Sequence, residues 1–189
     1  MSTGSAIISI FSAFLLSASL WVPPAHSGED VAGQIYYTAA NIWYENPEKI
    51  LSTNYHRGTI LPVGTKVRVD EVKGKKIRFG DGHGQEFEIT FMEKHSSRIV
   101  DLWAYFRRYF SRDNPLQGRP YEGFSKSERR NIKMGEIEVG MSKEAVLMAY
   151  GYPPAHRTPS LESDQWVYWI NRFVNKTVVF QNGRVLKWR

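Results

Sequence analysis

The strongest constraint on the fold is the dipeptide Asn182-Gly183, which lies between two short apolar runs near the end of the sequence. A two-residue hairpin turn needs positive φ angles at both central positions, and Asn-Gly adopts them most readily. The runs Thr177 to Phe180 and Val185 to Trp188 are therefore predicted to form two antiparallel strands. Alternating apolar residues from Gln165 to Ile170 predict a third strand of the same sheet.

Two short helices are predicted before this meander. Ser125 and Glu128 have the spacing of a capping box, in which the serine hydroxyl accepts from a helix amide and the glutamate reaches back. Ser142 is predicted to cap the second helix, and Gly151 is predicted to end it. The expected order within residues 124–189 is helix, helix and a three-stranded meander.

The preceding half of the chain is expected to be rich in β-structure. Val67, Val69 and, after a slip of one position, Val72 alternate with charged residues, and Phe87 and Ile89 repeat the pattern. Turn signals recur roughly every 8–12 residues, which is typical of a small sandwich or barrel.

These patterns predict two domains. An apolar stripe from Ile99 to Phe110 predicts a helix that packs on the barrel, so that residues 28–110 form a β-rich domain with its packing helix. Residues 111–123 are rich in Pro, Gly and polar residues and are predicted to be a linker to residues 124–189. The predicted fold class is α+β.

Residues 1–27 have the pattern of a secretory signal peptide. They carry no Asp, Glu, Lys or Arg, contain an apolar run, and end at Ala25-His26-Ser27, which has small residues at the two cleavage positions. The alternative is an uncleaved anchor, although an apolar run of about 16 residues is short for a membrane span of ~20. We expect a periplasmic or secreted protein, or one associated with the outer membrane.

The composition excludes several kinds of chemistry. The sequence has no cysteine, which excludes disulfides, thiol redox chemistry and thiolate metal sites. Its five histidines lack the spacing of a zinc motif, so neither a metal nor a cofactor is expected. The formal net charge of +6 leaves anionic lipid or an acidic polymer open as partners. Interleaved acidic residues and export disfavour nucleic acid.

No residues of the sequence are predicted to be catalytic. The patterns G-x-S-x-G and S-x-x-K are both absent. Asp81 and His83 would place a carboxylate and an imidazole at one hairpin tip, which leaves a periplasmic hydrolase as a remote alternative. A tip built from glycines is more often only a tight turn, so we expect a noncatalytic protein.

The motifs of residues 124–189 occur together in one known family. They are IEVGMSKEAVLMAYG at Ile137 to Gly151, the aromatic pair Trp166 and Tyr168, and VFQNGRV at Val179 to Val185. This region resembles the SmpA/OmlA (BamE-like) family of bacterial envelope proteins. The resemblance implies a BamE-like αα-βββ module and a role in binding another envelope protein, as a noncatalytic accessory factor in outer-membrane assembly.

Residues 31–92 bear a weaker resemblance to bacterial SH3-like domains. It rests on the turns at Gly58-Thr59 and Gly64-Thr65 and on a basic hairpin between short strands. The resemblance implies an SH3-like barrel before the second module. It also implies an alternative function, in which this domain binds cell-wall peptides or peptidoglycan.

Aromatic side chains are predicted to form the binding surface. The chain has six Trp and ten Tyr, more than two small cores are expected to bury. Trp and Tyr supply a large contact area at a low cost in conformational entropy. Tyr44, Trp169 and Trp188 are the predicted partner-binding residues.

Overall fold

The structure is a computed structural model, and it describes residues 31–53, 55–96 and 100–189. The predicted signal peptide, residues 1–27, lies outside the described residues. Among the residues that are described, no helix has the length and apolar character needed to cross a membrane.

The described residues form three α-helices and eleven strands, and the predicted α+β class is confirmed. The strands are β1 (Gln34–Thr38), β2 (Ile42–Tyr44), β3 (Ile50–Leu51), β4 (Thr59–Leu61), β5 (Lys66–Lys73), β6 (Lys76–Gly80), β7 (Glu86–Thr90), β8 (Phe110–Ser111), β9 (Gln165–Trp169), β10 (Asn175–Gln181) and β11 (Arg184–Trp188). The helices are α1 (Leu102–Tyr109), α2 (Lys126–Met134) and α3 (Lys143–Tyr150).

Six strands of the first half form a curled sheet in the order β3-β7-β6-β5-β1-β8. The register shifts between Val69 and Glu71 in β5, where the strand pairs with β6. This irregularity keeps Val67, Val69 and Val72 buried, in agreement with the slip in the sequence pattern. Helix α1 packs its apolar side into the same hydrophobic cluster.

Helix α1 ends one residue before the end of the predicted apolar stripe, and Ile99, at the start of that stripe, lies outside the described residues. The helix begins at Leu102, and the carboxylate of Asp101 caps it by accepting the N–H of Ala104 at 2.6 Å. Phe110 was expected at the end of the helix but lies in β8, where it pairs with Thr38 of β1. Its ring packs there against Phe106 and Phe79, so tertiary packing overrides the helical period.

The second half has the expected order of two helices and a meander, and its sheet order is β11-β10-β9. The φ angles of Asn182 and Gly183 are 51° and 73°, as the hairpin turn requires. The sheet buries Trp166 and Tyr168 completely, against a cluster that includes residues of α2 and α3.

Glu128 connects the first turns of α2 and α3. Its carboxylate accepts the N–H and the hydroxyl of Ser125, each at 2.9 Å, and the N–H of Ser142 at 2.9 Å. Burial alone would raise the pKa of Glu128, but the hydrogen bonds from Ser142 and Ser125 outweigh it and hold the pKa below its ordinary value of 4.5. The carboxylate therefore stabilises the helix pair as an anion.

Replacing Glu128 by Gln should lower the free energy of unfolding by about 1–3 kcal/mol at pH 7, because an amide group turns a donor toward one of these N–H groups. The folded-state pKa lies below the unfolded one, so the stabilisation is present above pH 4.5 and is lost as pH falls through the folded value. Urea denaturation of E128Q and of E136Q, at an exposed glutamate, measures the effect. Equal midpoints for the two variants would contradict this role.

A buried asparagine ties the two halves of the chain together. The side-chain nitrogen of Asn41 donates to the carbonyl oxygens of Ile132 and Ala149, both at 2.8 Å. Its side-chain oxygen accepts the N–H of Val63 at 2.7 Å. The two carbonyls lie in the last turns of α2 and α3, where helix carbonyls need partners from outside the helix.

Hydrophobic contacts also cross between the halves. Ala155 belongs to the cluster of the curled sheet, and Val63 belongs to the cluster of the second half. Residues 111–123, which were predicted to be a linker, also contact both halves. Ser111 pairs with β1, and Leu116 packs against the hydrophobic cluster of the second half. The two halves therefore share an extensive junction.

Candidate functional site

The loop between β3 and β4 reaches the second half of the chain through His56. The Nε2 atom of this buried ring lies 2.7 Å from the carbonyl oxygen of Tyr150, and its Nδ1 atom lies 3.2 Å from that of Trp169. The imidazole also stacks on the Tyr150 ring, with 3.6 Å between centroids. These contacts fix the positions of the neighbouring residues Tyr55 and Arg57.

An open groove of about 590 Å³ lies beside this contact, and we call it the junction groove. Its aromatic wall is formed by Tyr55 and Trp169, whose rings stack with centroids 6.1 Å apart. The groove is lined by residues of three stretches of the chain, namely Glu45, Leu51, Thr53, Tyr55 and Arg57, then Met92, Lys94 and His95, and finally Trp169, Asn171 and Arg172.

The junction groove is basic. Arg57, Lys94 and Arg172 line it, whereas Glu45 is the one acidic residue among its described lining. Glu45 is already paired with Arg57, with 3.0 Å between the charged atoms. The groove therefore offers unneutralised positive charge beside two aromatic rings, and this combination suits a ligand that carries carboxylates.

Two histidines pack against Trp169 of the aromatic wall. The rings of His95 and His156 each lie with their centroids 4.9 Å from that of Trp169. Burial lowers the pKa of His95, and the neighbouring His156 and Lys94 lower it further. His95 is therefore neutral at pH 7, and the charge of the groove comes from its Arg and Lys residues.

Thr53 adds a polar group to the groove lining. Its side chain is 3% exposed, and its hydroxyl has no hydrogen-bond partner among the described residues. A buried hydroxyl without a partner costs free energy that a bound polar group can recover. In the part of the chain that is described, no three His, Cys, Asp or Glu side chains come together as a metal site would require.

The three predicted binding residues lie in three different places in the structure. Trp169 forms the aromatic wall of the junction groove. Tyr44 packs edge-on against Phe87 and lines a smaller groove of about 210 Å³, which shares Tyr55 and Arg57 with the junction groove.

Trp188 lies on the other face of the three-stranded sheet. It is directly opposite Val178, which is opposite the buried Trp166, so these three side chains share the helix-facing side. The Trp188 ring contacts Tyr150, with 5.4 Å between centroids. Trp169 has the opposite orientation in β9, so the structure does not bring Trp188 to the groove.

Most of the groove residues were not predicted. Tyr55, Arg57, Lys94, His95 and Arg172 come from segments far apart in the sequence, and none belongs to a motif. The one available signal was local: Arg172 lies three residues after Trp169, just beyond the end of β9.

The candidate pair Asp81 and His83 lies elsewhere, at the tip between β6 and β7. The carboxylate of Asp81 accepts the N–H groups of His83 and Gln85, at 2.8 and 3.2 Å. These bonds close the turn, which is the structural role expected of an aspartate in a glycine-rich tip.

Comparison with known proteins adds no relative: no protein-family model, no curated protein and no solved structure matches this chain. The similarities to the SmpA/OmlA family and to SH3-like domains therefore rest on the sequence motifs alone.

Proposed function

We propose that this chain is a noncatalytic exported envelope protein that binds a segment of another protein in the junction groove. The observation that carries the proposal is the convergence of Tyr55, Trp169 and three cationic side chains on one open surface. Trp, Tyr and Arg are the residues that most often dominate the free energy of protein–protein binding.

The groove is also fixed in advance of binding. His56 holds the Tyr55 loop against the carbonyl groups of Tyr150 and Trp169, and Asn41 holds both helices to the first half. A partner would therefore meet walls that are already ordered, and less conformational entropy would be lost on binding. This supports a docking role for the surface.

The same proposal covers the finer architecture. We assign an SH3-like barrel to residues 31–92 and a BamE-like αα-βββ module to residues 124–189. The curled sheet of short strands supports the first assignment, and the order of α2, α3 and the meander supports the second. On this assignment the chain acts as an accessory factor in outer-membrane assembly.

A second candidate ligand is peptidoglycan. Aromatic rings flanked by cations also suit a sugar ring that carries a carboxylate, so the stacked pair of Tyr55 and Trp169 favours this alternative specifically. In this case the ligand would enter the same groove, and the two candidates differ only in what is bound there.

Photocrosslinking from inside the groove tests the proposal. Tyr55 is replaced by benzoylphenylalanine in cells that produce the full chain, and Tyr37, a half-buried residue of β1, is replaced as the matched control. We expect a protein adduct from position 55 but not from position 37. A glycan adduct would support the peptidoglycan alternative, and equal labelling from both positions would contradict a groove-specific partner.

Replacing Trp169 by Ala should weaken binding of the crosslinked partner about 30-fold, because truncating a central aromatic residue of an interface typically costs about 2 kcal/mol or more. Trp188→Ala is the matched control, since this Trp lies on the other face of the same sheet. Titration calorimetry with the purified partner measures both affinities. A loss that is equal in the two variants would show that binding does not depend on the groove.

A further inference from the structure

We infer that the partner segment is acidic, and that it extends from the junction groove across the three-stranded sheet of residues 165–189. This inference rests on the proposed function and names the chemistry of its ligand. It is drawn from the distribution of positive charge over the three-stranded sheet, outside the junction groove.

The positive charge of the protein is concentrated in this sheet. Residues 165–189 contain five Lys and Arg and no Asp or Glu, namely Arg172, Lys176, Arg184, Lys187 and Arg189. The whole chain has 25 basic and 19 acidic residues, so the remaining residues are close to electrical balance. A surface of one sign attracts the opposite sign and raises the rate of encounter with it.

Within the described residues, most of these cations have no ionic partner. Arg184 lies 3.6 Å from Glu128 and donates to the carbonyl of Gly140. Arg172 and Lys176 instead lie over aromatic rings, at 4.9 Å from the centroid of Phe173 and 4.8 Å from that of Trp188, so Lys176 lies on the helix-facing side of the sheet together with Trp188. Lys187 is opposite Val179, and Arg189 is opposite Thr177, so both lie on the same side of the sheet as Trp169, where an acidic partner would meet their charges.

The same sheet exposes apolar side chains at one end. Phe173 and Val174 are 82% and 48% exposed at the tip between β9 and β10. The side-chain oxygen of Asn171 accepts the N–H groups of both residues, at 2.8 and 2.9 Å, so the turn that presents them is formed. Arg172 belongs to the same turn and lines the junction groove, which makes the tip continuous with the groove.

Together, these features fit a protein segment that carries both acidic and apolar residues. Its carboxylates would meet the cations of the groove and the sheet, and its apolar side chains would cover the exposed tip. A single acidic sugar is too small to cover both the groove and the sheet. A membrane surface fits the charge and the exposed tip, but it does not fit a concave groove.

The test uses fluorescence anisotropy with two labelled twelve-residue peptides. One alternates Glu and Leu, and in the other Gln replaces every Glu. We expect the Glu peptide to bind the full chain at least tenfold more tightly, and we expect its affinity to fall as salt is raised, because exposed charges are screened. Failure of the Glu peptide to bind more tightly than the Gln peptide would overturn the inference.

Two triple variants with the same net charge locate the binding surface. One carries R172Q, K187Q and R189Q in the sheet, and the other carries K66Q, K73Q and K126Q at exposed positions elsewhere. The first triple should weaken the Glu peptide at least tenfold, and the second less than twofold. Equal losses would show that only the total charge matters and would overturn the assignment.

Two further outcomes separate this inference from the proposed function. If Trp169→Ala weakens the crosslinked partner but the sheet triple does not, the groove binds a partner whose recognition is not acidic. Binding to phosphatidylglycerol vesicles that the sheet triple abolishes, without tighter binding of the Glu peptide, would assign the sheet to a membrane surface instead. Either result overturns the inference of an acidic partner. The proposed binding of a protein in the junction groove would then be tested by the crosslinking experiment alone.

Discussion

Replacing Asn41 by Asp should lower the free energy of unfolding by about 3–5 kcal/mol at pH 7, because the change leaves a buried charge without a partner. The carboxylate would face the carbonyl oxygens of Ile132 and Ala149, to which the amide now donates at 2.8 Å. Acceptors would then oppose acceptors at both positions, while the bond from Val63 could persist. Urea denaturation followed by Trp fluorescence measures the loss.

Asn46→Asp is the matched control for this change. The side chain of Asn46 is exposed and accepts the N–H of Glu48 at 2.9 Å, which a carboxylate does equally well. We expect this variant to lie within about 0.5 kcal/mol of the natural protein, as is usual for surface substitutions. Similar losses for N41D and N46D would contradict the role assigned to Asn41 at the junction.

The stability of the protein should also fall steeply between pH 6.5 and about 4, because of His56. Burial lowers the pKa of His56 from 6.5 to about 4, although the hydrogen bonds to Tyr150 and Trp169 oppose the change. The unfolded chain therefore takes up this proton first as the pH falls, and the unfolded state is favoured. A pKa lowered by this amount corresponds to about 3 kcal/mol.

The measurement compares unfolding free energies at pH 7.5 and pH 4 in the natural protein and in H56Q. We expect the natural protein to lose about 3 kcal/mol more than H56Q over this interval, since glutamine does not titrate. H83Q serves as the control, because His83 is exposed at the tip between β6 and β7. If the unfolding free energy of H56Q depended on pH as that of the natural protein does, protonation of His56 would not be the cause of the loss of stability.

The environment of His56 is set by residues that are distant in the sequence. A neutral imidazole donates from one nitrogen only, so one of the two facing carbonyls meets a lone pair. The residue is held there by the Tyr150 ring and by contacts with residues 94 and 113 positions away. No pattern around position 56 in the sequence indicates such an environment.

The predictions that the structure confirms depend on residues close together in the chain. The capping box of Ser125 and Glu128, the cap at Ser142 and the turn at Asn182-Gly183 are all present. Each is decided within about four residues by backbone angles and by the amides left free at a helix end. Local sequence therefore determined where the elements of the second half begin and end.

The prediction that the first helix extends to Phe110 was wrong, because the position of Phe110 depends on residues far from it in the chain. The apolar stripe has a helical period, but Phe110 lies in β8, where its ring packs against Phe79 and Phe106. Backbone pairing with Thr38 accompanies that packing. The local preference of these residues for a helix competes with pairing to a distant strand. The sequence around residue 110 shows only the helical preference.

The sequence by itself determined the α+β class, the order of elements in the second half and the absence of thiol chemistry. The sequence also predicted that Trp169 binds a partner, and this stays a prediction. Only the tertiary structure decided which residues surround Trp169, and that Trp188 faces the helices instead. The physical reason is that the groove and the Asn41 contact join segments far apart in the sequence, for example Asn41 to Ile132 and Ala149 at separations of 91 and 108. Such contacts are chosen by packing of the whole chain, and local propensity has no influence on them.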